Sequence, residues 1–490
     1  MTNKTPFLDG FSTFFCGRAK ASGQAVLRKA RKAVINRCPG QLSSLFAQVI
    51  APSLVVSLAM NRRVRHFSDE VTFWAFLAQT LSEDRSCARA VAEVQNWRLD
   101  HGQRLPSADT SSYCKARQRL PMTMLEAVHE DLCNSLRRQS PTELLWLGHV
   151  VKAIDGSSVQ LPDTPENQLA FPQPPNQKPG CGFPVMQFGA LINLCNGAWE
   201  QVVVSEMTIH DHKLLDALMP SIKCNEVLVA DRAFCSYEMM ARTAGQGAWM
   251  VARLHQMRKT DWRRGVKAGP NQRIVTWHKP PQPAGSCLSR EQWGQLPAQI
   301  QIRLIKVRAT GRDGKLKTMF LATTLLDTVR YSEEDIAALY CQRWDIELRL
   351  RDLKTTMGME LLRTKTPDMA RKELAMFVIA YNALRLLMLQ ASIECGAALW
   401  RISFKGTIQI VATWNGRFSG LHHKPKSRAE VFAEMLRQIA QRTVPHRPGR
   451  QEPRAIKRRP KPFPSLTTPR RQFHREVWCN ASLSQNRMAA

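Results

Sequence analysis

The stretch from Tyr340 to Lys354, YCQRWDIELRLRDLK, places the strongest constraint on what this 490-residue chain can fold into. Ser332 is a candidate N-cap, three acidic residues follow it, and no Pro or Gly intervenes before Gly358, so the stretch predicts a helix. At about 100° per residue, four side chains fall within roughly 60° of one another: Tyr340, Arg343, Glu347 and Lys354. This row of aromatic, cationic and anionic groups suits an anionic ligand held beside a metal ion.

The same helix carries an apolar stripe that would seat it on a hydrophobic core, formed by Leu339, Ile346, Leu350, Leu353 and Met357. Charged residues at helical spacing more often form a solvated face, and Arg343 and Glu347 have the i,i+4 spacing of an ordinary ion pair. The spacing alone favours this solvated face. Only features elsewhere in the chain can favour a functional site instead.

The overall charge indicates a polyanionic partner. The chain has 70 Lys and Arg against 40 Asp and Glu, a net charge of +30 and a pI of about 10.1. Nucleic acid is the favoured partner, and a membrane surface is the weaker alternative because the apolar run 46–60 is too short to span a bilayer. The 13 cysteines form no CxxC or zinc spacing, which favours reduced thiols in the cytoplasm.

Residues 1–140 predict an all-helical N-terminal DNA-binding domain. Basic clusters occupy residues 1–65, and SDEVTFWAFLAQTLS (68–82) has a cap followed by apolar residues at helical spacing. Two later helices are predicted over Thr110–Arg119 and Pro121–Arg138. The first of them can enter a DNA groove, although a merely basic surface helix explains it equally well. Its candidate contacts are Tyr113, Lys115, Arg117 and Arg119.

Residues 141–254 predict the first part of an α/β core. HVVKAID (149–155) is interpreted as a buried strand that ends at Asp155, before the turn-forming Gly156. NEVLVAD (225–231) repeats the pattern and stops at Asp231. Because sites are assembled at strand ends in α/β sheets, we expect both carboxylates to lie in one site.

The remaining chain is divided by composition. Residues 255–325 predict a β-rich insertion, 326–400 the second part of the core with an apolar helix over 373–392, and 401–490 a helical segment followed by a basic tail. The tail, with eleven Arg and Lys among prolines over 441–476, is expected to be partly disordered until it meets phosphates. His210 and His212 are an HxH pair, which is more often solvated than a metal site.

Asp155, Asp231 and Glu347 together form a candidate metal site. Three carboxylates can hold two divalent ions about 3.5–4 Å apart, one activating water or a DNA 3′-hydroxyl and the other stabilising the leaving oxygen. Hard oxygen ligands select Mg²⁺ or Mn²⁺ over zinc.

The chain resembles the insertion-sequence-four family of bacterial DDE transposases. That family's signature is Tyr, two residues, Arg, three residues, Glu, six residues, Lys, and Tyr340, Arg343, Glu347 and Lys354 match it. The family's two aspartates resemble Asp155 in AIDGS and Asp231 in ADRAF. FLAQTLSEDRSCARAVAEV and TSSYCKARQRL are similar to its N-terminal domain, so the resemblance runs from about residue 45 to 400.

The resemblance implies an α/β ribonuclease-H-like catalytic core, with the β-rich insertion between Asp231 and Glu347. It implies cut-and-paste transposition with two Mg²⁺ or Mn²⁺ ions, acting on double-stranded DNA at terminal inverted repeats and at the target. It further implies a homodimer that holds paired transposon ends, in the bacterial cytoplasm and associated with the nucleoid.

The resemblance also assigns DNA contacts. Tyr340, Arg343 and Lys354 are implied to grip the backbone of the transposon end, near a flipped base. Arg232, which follows the second aspartate, is counted with them. A Trp of the insertion is implied to stack on the flipped base, and three candidates remain open: Trp262, Trp277 and Trp293.

Two other classes of protein compete with this interpretation. A transposase remnant that acts as a repressor would keep the basic regions and could lose the acids, yet all three acids are present. A ribonuclease-H-like nuclease that only hydrolyses would not need the Tyr, Arg and Lys row beside Glu347.

Overall fold

The structure is a computed structural model, and it describes residues 45–59, 66–205, 216–255, 258, 261–283, 286, 288–310, 316–419, 425–445, 466–469 and 472–473. Several sequence predictions lie outside these residues. They are the basic clusters of residues 1–65, the His210 and His212 pair, and most of the basic tail.

The strands form one mixed sheet, in the order β3-β2-β1-β4-β5-β9-β8-β7-β6. Their bounds are β1 Val150–Gln160, β2 Val185–Asn193, β3 Trp199–Ser205, β4 Glu226–Ala230, β5 Trp249–Arg253, β6 Val266–Gly269, β7 Gln272–His278, β8 Gln299–Thr310 and β9 Leu316–Thr323. β1 is antiparallel to β2 and parallel to β4, and β5 is parallel to β4. β9 pairs with β5, so the strands of residues 255–325 extend the same sheet.

Helices cover this sheet and form the N-terminal region. Their bounds are α1 Pro52–Ser57, α2 Asp69–Leu81, α3 Cys87–Asp100, α4 Ser111–Arg119, α5 Met122–Gln139, α6 Pro165–Ala170, α7 Tyr237–Gly245, α8 Arg290–Gln295, α9 Glu333–Cys341, α10 Trp344–Arg351, α11 Pro367–Cys395, α12 Phe404–Ser419 and α13 Pro425–Gln441. Serine caps begin several of them: the Ser68 side chain accepts a hydrogen bond from the Val71 N–H, and the Ser332 side chain from the Asp335 N–H.

The apolar helix predicted over 373–392 is α11, and it lies at the centre of the core. Pro367 stands in its first turn, and Gly396 ends it with a φ of 62°. Among the described helices it alone is long and apolar enough to cross a membrane, but 89% of its most apolar window is buried inside the protein. The burial identifies it as a core helix.

The exposed face of α4 differs from the one predicted. Tyr113 and Arg117 are buried, and both bond to Gln79 Oε1, at 2.8 Å and 3.2 Å. Lys115 and Arg119 are exposed. The helix is amphipathic, with its third and seventh residues turned into the domain, so only two of the four candidate DNA contacts face solvent.

The prediction that a strand ends at Asp155 is wrong. β1 continues through Asp155 and Gly156 to Gln160, and β2 pairs with it over this whole length. A Gly in a strand costs stability but does not break it, and here Gly156 lies opposite Gly189. What ends near Asp155 is the parallel pairing with β4, which stops at Ala153.

Candidate active site

The register of two parallel strands brings the two aspartates together. Ala153 on β1 pairs with Val229 on β4, and each aspartate lies two residues further along its own chain. Asp155 stays in β1 while Asp231 follows directly after β4. Both carboxylates therefore project from the same edge of the parallel pairing, as expected for a site at the carboxyl ends of parallel strands.

Glu347 approaches this edge from α10, which contacts β1. Ile346 beside it is buried and fixes the helix to the core, whereas Glu347 is exposed. Glu347 lines an open groove of about 300 Å³ together with Ser157, Lys354 and Glu360. The third acid thus faces solvent on the side of β1 that carries Asp155.

The electrostatics of Asp155 reflect the convergence of the three acids. Burial raises the pKa of its carboxyl group, and the negative charges of Asp231 and Glu347 raise it further. A hydrogen bond of 2.8 Å from the Gly156 N–H to Asp155 Oδ1 and the nearby Arg343 guanidinium oppose this shift in pKa. The ionised Asp155 carboxylate and the carboxylates of Asp231 and Glu347 therefore repel one another.

The predicted helix from Tyr340 to Lys354 is interrupted. α9 ends at Cys341, α10 begins at Trp344, and residues 352–356 form a π-helical turn. The Arg343 N–H bonds to the Tyr340 carbonyl three residues back, at 3.1 Å, so the chain tightens there and widens again around Lys354. The stretch contains no Pro or Gly, the residues that usually mark such a break. The sequence therefore predicted one continuous helix.

The Tyr, Arg and Lys side chains nevertheless surround the acids. Tyr340 is buried, and its hydroxyl group lies 3.5 Å from Asp231 Oδ1. Burial raises the pKa of Tyr340 to about 12, so its phenol is protonated at neutral pH. Lys354 Nζ lies 3.3 Å from Ser157 Oγ. Arg343 Nε is buried without a hydrogen-bond partner among the described residues, and the Arg343 guanidinium group lies near Asp155 and is hydrogen-bonded to the Tyr340 side chain.

The donor chemistry of the three acids fits a divalent cation. They supply only carboxylate oxygens, which Mg²⁺ and Mn²⁺ prefer, and a cation would relieve the repulsion around Asp155. They do not form a closed ligand set: within the described residues, no group of three His, Cys, Asp or Glu side chains is close enough to hold a metal.

The three candidate tryptophans lie in packed surroundings. Trp277 is buried in a core cluster, with the Arg258 guanidinium 3.7 Å from its ring centroid. Trp262 packs against Phe320 with ring centroids 5.6 Å apart. Trp293 is buried and lines a separate cavity of about 560 Å³. That cavity is also lined by Arg232, the residue after Asp231.

Two residues that line the groove beside Glu347 are absent from the sequence-based prediction. Ser157 lies two positions beyond Asp155 on β1 and so on the same face of the strand, a relation that the period of a continuous strand would have indicated. Glu360 lines the groove with Glu347, and no sequence pattern distinguishes it.

Comparisons with known proteins indicate the class of protein to which this chain is similar. The family described as "Transposase DDE domain" matches residues 146–383, a span that contains Asp155, Asp231 and Glu347. The chain is also 25% identical over 431 residues, 85% of its own length and 91% of the relative's, to Transposase InsG for insertion sequence element IS4 from Escherichia coli (strain K12). These two matches support a DDE transposase of the insertion-sequence-four type.

A solved structure, the cryo-EM structure of the piggyBac transposase synaptic complex with hairpin DNA, shows a distant overall likeness. Its TM-score is 0.40 with 11% identity, over 85% of this chain and 86% of that chain. The family match and the InsG relative support the function of a DNA transposase, an enzyme that cleaves DNA and transfers strands, and DDE domains generally use divalent metal ions.

Proposed function

We propose that this transposase performs cut-and-paste transposition of an insertion sequence, with Asp155, Asp231 and Glu347 as its catalytic metal ligands. The observation that carries the proposal is the register of β1 and β4, which sets the two aspartates side by side, with α10 bringing Glu347 toward the same edge. The predicted cofactor is a pair of Mg²⁺ or Mn²⁺ ions. When bound, they activate the attacking water or 3′-hydroxyl group and stabilise the leaving oxygen.

The side chains around the acids would hold the cleaved DNA end. The Arg343 guanidinium group lies near Asp155 and Lys354 projects toward Ser157, so both are cations beside the acids that can meet phosphate oxygens. Tyr340, with its protonated hydroxyl group near Asp231, can donate one further hydrogen bond. This row distinguishes a transposase from a nuclease that only hydrolyses.

The flipped base of the transposon end is proposed to enter the cavity that Trp293 and Arg232 share. This cavity follows Asp231 directly, and its lining combines an aromatic ring with a cation, the groups on which bases stack. Trp262 and Trp277 remain candidates: the half-buried Trp262 packs against Phe320, and the Arg258 guanidinium group lies over the Trp277 ring.

The fold supports a ribonuclease-H-like core. The order β3-β2-β1-β4-β5, with β1 antiparallel to β2 and parallel to β4, forms one half of the sheet, and the strands of residues 255–325 continue the other half. The proposed boundaries are those predicted from the sequence: 1–140, 141–254, 255–325, 326–400 and 401–490.

The proposed partners are the double-stranded terminal inverted repeats and target DNA. A homodimer is the proposed synaptic form, because each of two ends needs an active site. The exposed Lys115 and Arg119 of α4 are proposed contacts to the transposon end. The proposed location is the bacterial cytoplasm, at the nucleoid, where the substrate lies.

Incubation of the purified protein with its flanking DNA ends, a target plasmid and Mg²⁺ tests this function. We expect excision at the ends and joining of their 3′-hydroxyl groups to the target. Cleavage without joining would instead support a nuclease. Binding to the ends without cleavage, in both Mg²⁺ and Mn²⁺, would support a repressor derived from a transposase.

A further inference from the structure

The loop between α2 and α3 reaches the turn that follows Lys354. Arg85 Nη1 donates a hydrogen bond to the Gly358 carbonyl oxygen, a contact between residues 273 positions apart. Arg363 Nη1 donates in the opposite direction, to the Asp84 carbonyl oxygen. The N-terminal helical region is thereby joined by reciprocal contacts to the segment that leaves the active site.

Arg85 is held in a strained conformation to make this contact. Its φ of 50° is left-handed, a region that a residue with a long side chain adopts only when its surroundings impose it. Gln79 Nε2 donates to the Arg85 carbonyl oxygen at 2.9 Å, and Asp84 Oδ1 accepts from the Ser86 N–H at 3.0 Å. These contacts fix the backbone of the loop at Arg85 and thereby hold its guanidinium group in place.

Gly358 is fitted to the guanidinium group from the other side. Its φ is 77°, and a Cβ atom at this position would lie 3.0 Å from Cζ, Nη1 and Nη2 of Arg85. The Arg85 guanidinium group also lies over the Phe377 ring, 5.8 Å from its centroid. Glycine suits both this left-handed backbone conformation and this close approach.

The turn at Gly358 closes the backbone around Lys354. The Met359 and Glu360 N–H groups bond to the carbonyl oxygens of Leu353 and Lys354, both at 3.2 Å. The chain then pairs with the end of β1, since the Gln160 N–H bonds to the Glu360 carbonyl oxygen at 3.0 Å. A shift of this turn would move Lys354 relative to the strand that carries Asp155.

We propose that Arg85 is a positioning residue that couples the N-terminal helical region to Lys354. It fixes the Gly358 turn, and through this turn the place where the Lys354 ammonium group meets the phosphate of the cleaved end. The proposal rests on the proposed role of Lys354 in gripping that end. It adds that binding of DNA by the helical region and alignment of the active site are linked through the Arg85–Gly358 contact.

A double-mutant cycle with Lys354 tests the coupling. We expect Arg85→Ala to bind uncleaved end DNA as the wild type does, and to lower the single-turnover rate of strand transfer by about tenfold or more through misplacement of Lys354. We expect the Arg85→Ala/Lys354→Ala protein to be no slower than Lys354→Ala alone, because both changes remove the same interaction. Arg85→Lys, which keeps one donor, should recover part of the rate.

Two further variants complete the design. Arg89→Ala is the matched control, since Arg89 is an exposed arginine near the same loop that pairs with Glu93 at 3.2 Å; it should retain the wild-type rate. Gly358→Ala disturbs the contact from its other side and should reproduce the Arg85→Ala defect. Melting temperatures identify any variant that fails to fold, and Gly358→Ala and Arg85→Lys then carry the test.

Additive effects of Arg85→Ala and Lys354→Ala, or a rate for Arg85→Ala equal to that of Arg89→Ala, would overturn the coupling. If Lys354→Ala itself transfers strands at the wild-type rate, the proposed grip of Lys354 fails, and the coupling fails with it. The first result leaves the proposed function intact, so the two failures are distinguishable.

Discussion

At the scale of single residues, negative charge is concentrated around Asp155. Burial and repulsion from Asp231 and Glu347 raise its pKa, which means that the ionised carboxylate destabilises the metal-free fold at neutral pH. We expect Asp155→Asn to raise the melting temperature in EDTA. For the wild type, Mg²⁺ at about 100 times its Kd should add about 2.7 kcal/mol to the free energy of unfolding. The Asn variant should gain less.

Thermal unfolding with and without the metal measures both effects. Glu360→Gln is the matched control, because Glu360 lines the same groove but is not a predicted ligand. If Asp155→Asn destabilises the metal-free protein, or if Mg²⁺ stabilises it as much as the wild type, Asp155 does not hold the metal.

Arg343 and Lys354 are expected to act on DNA rather than on the metal. Each charge-assisted contact to a phosphate is worth about 1–3 kcal/mol, so Arg343→Ala or Lys354→Ala should destabilise the complex with cleaved end DNA by about this amount. Stabilisation by Mg²⁺ should persist. Competition assays with labelled, pre-cleaved ends measure the change, and the exposed Arg437→Ala on α13 is the control. Unchanged complex stability would favour a solvated charged face.

At the scale of secondary-structure elements, α4 carries exposed basic residues, Lys115 and Arg119, and a buried one, Arg117. Lys115→Ala or Arg119→Ala should weaken end binding and reduce the log–log salt slope by about 0.9 for each phosphate that is no longer neutralised. Arg117→Ala should instead destabilise the fold by about 1–3 kcal/mol, because Oε1 of the buried Gln79 side chain loses one of its two donors. Salt titrations and chemical denaturation of the three variants distinguish these roles. A pure binding defect in Arg117→Ala would contradict the buried position.

These same elements show what the sequence could and could not predict. The apolar run of α11 and the strand before Asp231 were predictable, because each has one periodicity and clear end signals. The continuation of β1 past Gly156 was not, since it depends on pairing with β2 across the sheet. The order of the three acids along the chain could be predicted from the sequence. Their proximity in space depends on the register of β1 and β4, which no local sequence pattern encodes.

The break between α9 and α10 has a similar cause. The i→i−3 bond at Arg343 and the π-helical turn at Lys354 accompany tertiary packing, because Ile346 and Leu353 are buried in the core. In α4, propensity predicted the helix, but only packing against α2 decided that Arg117 faces inward. Resemblance to a family supplied the roles that these patterns alone left open.

At the scale of the whole molecule, general and specific affinity for DNA are expected to reside in different regions. The tail from Arg447 to Arg475 has charge to neutralise phosphates but no apolar frame to orient base contacts. Removing residues 447–490 should lower affinity for end and random DNA alike, and reduce the salt slope by about 0.9 for each phosphate released. Titrations at several salt concentrations measure both. Loss of discrimination with an unchanged slope would mean that the tail reads sequence.

The central claim is that Asp155, Asp231 and Glu347 act as one metal-dependent centre for cleavage and strand transfer. The most direct measurement is the strand-transfer rate with paired end DNA and Mg²⁺ for Asp155→Ala, Asp231→Ala and Glu347→Ala, beside Glu360→Ala as the control from the same groove. Each of the three should lose cleavage and transfer while binding uncleaved ends with nearly wild-type affinity, and Glu360→Ala should remain active. Cleavage at the wild-type rate by any one of the three would contradict the account.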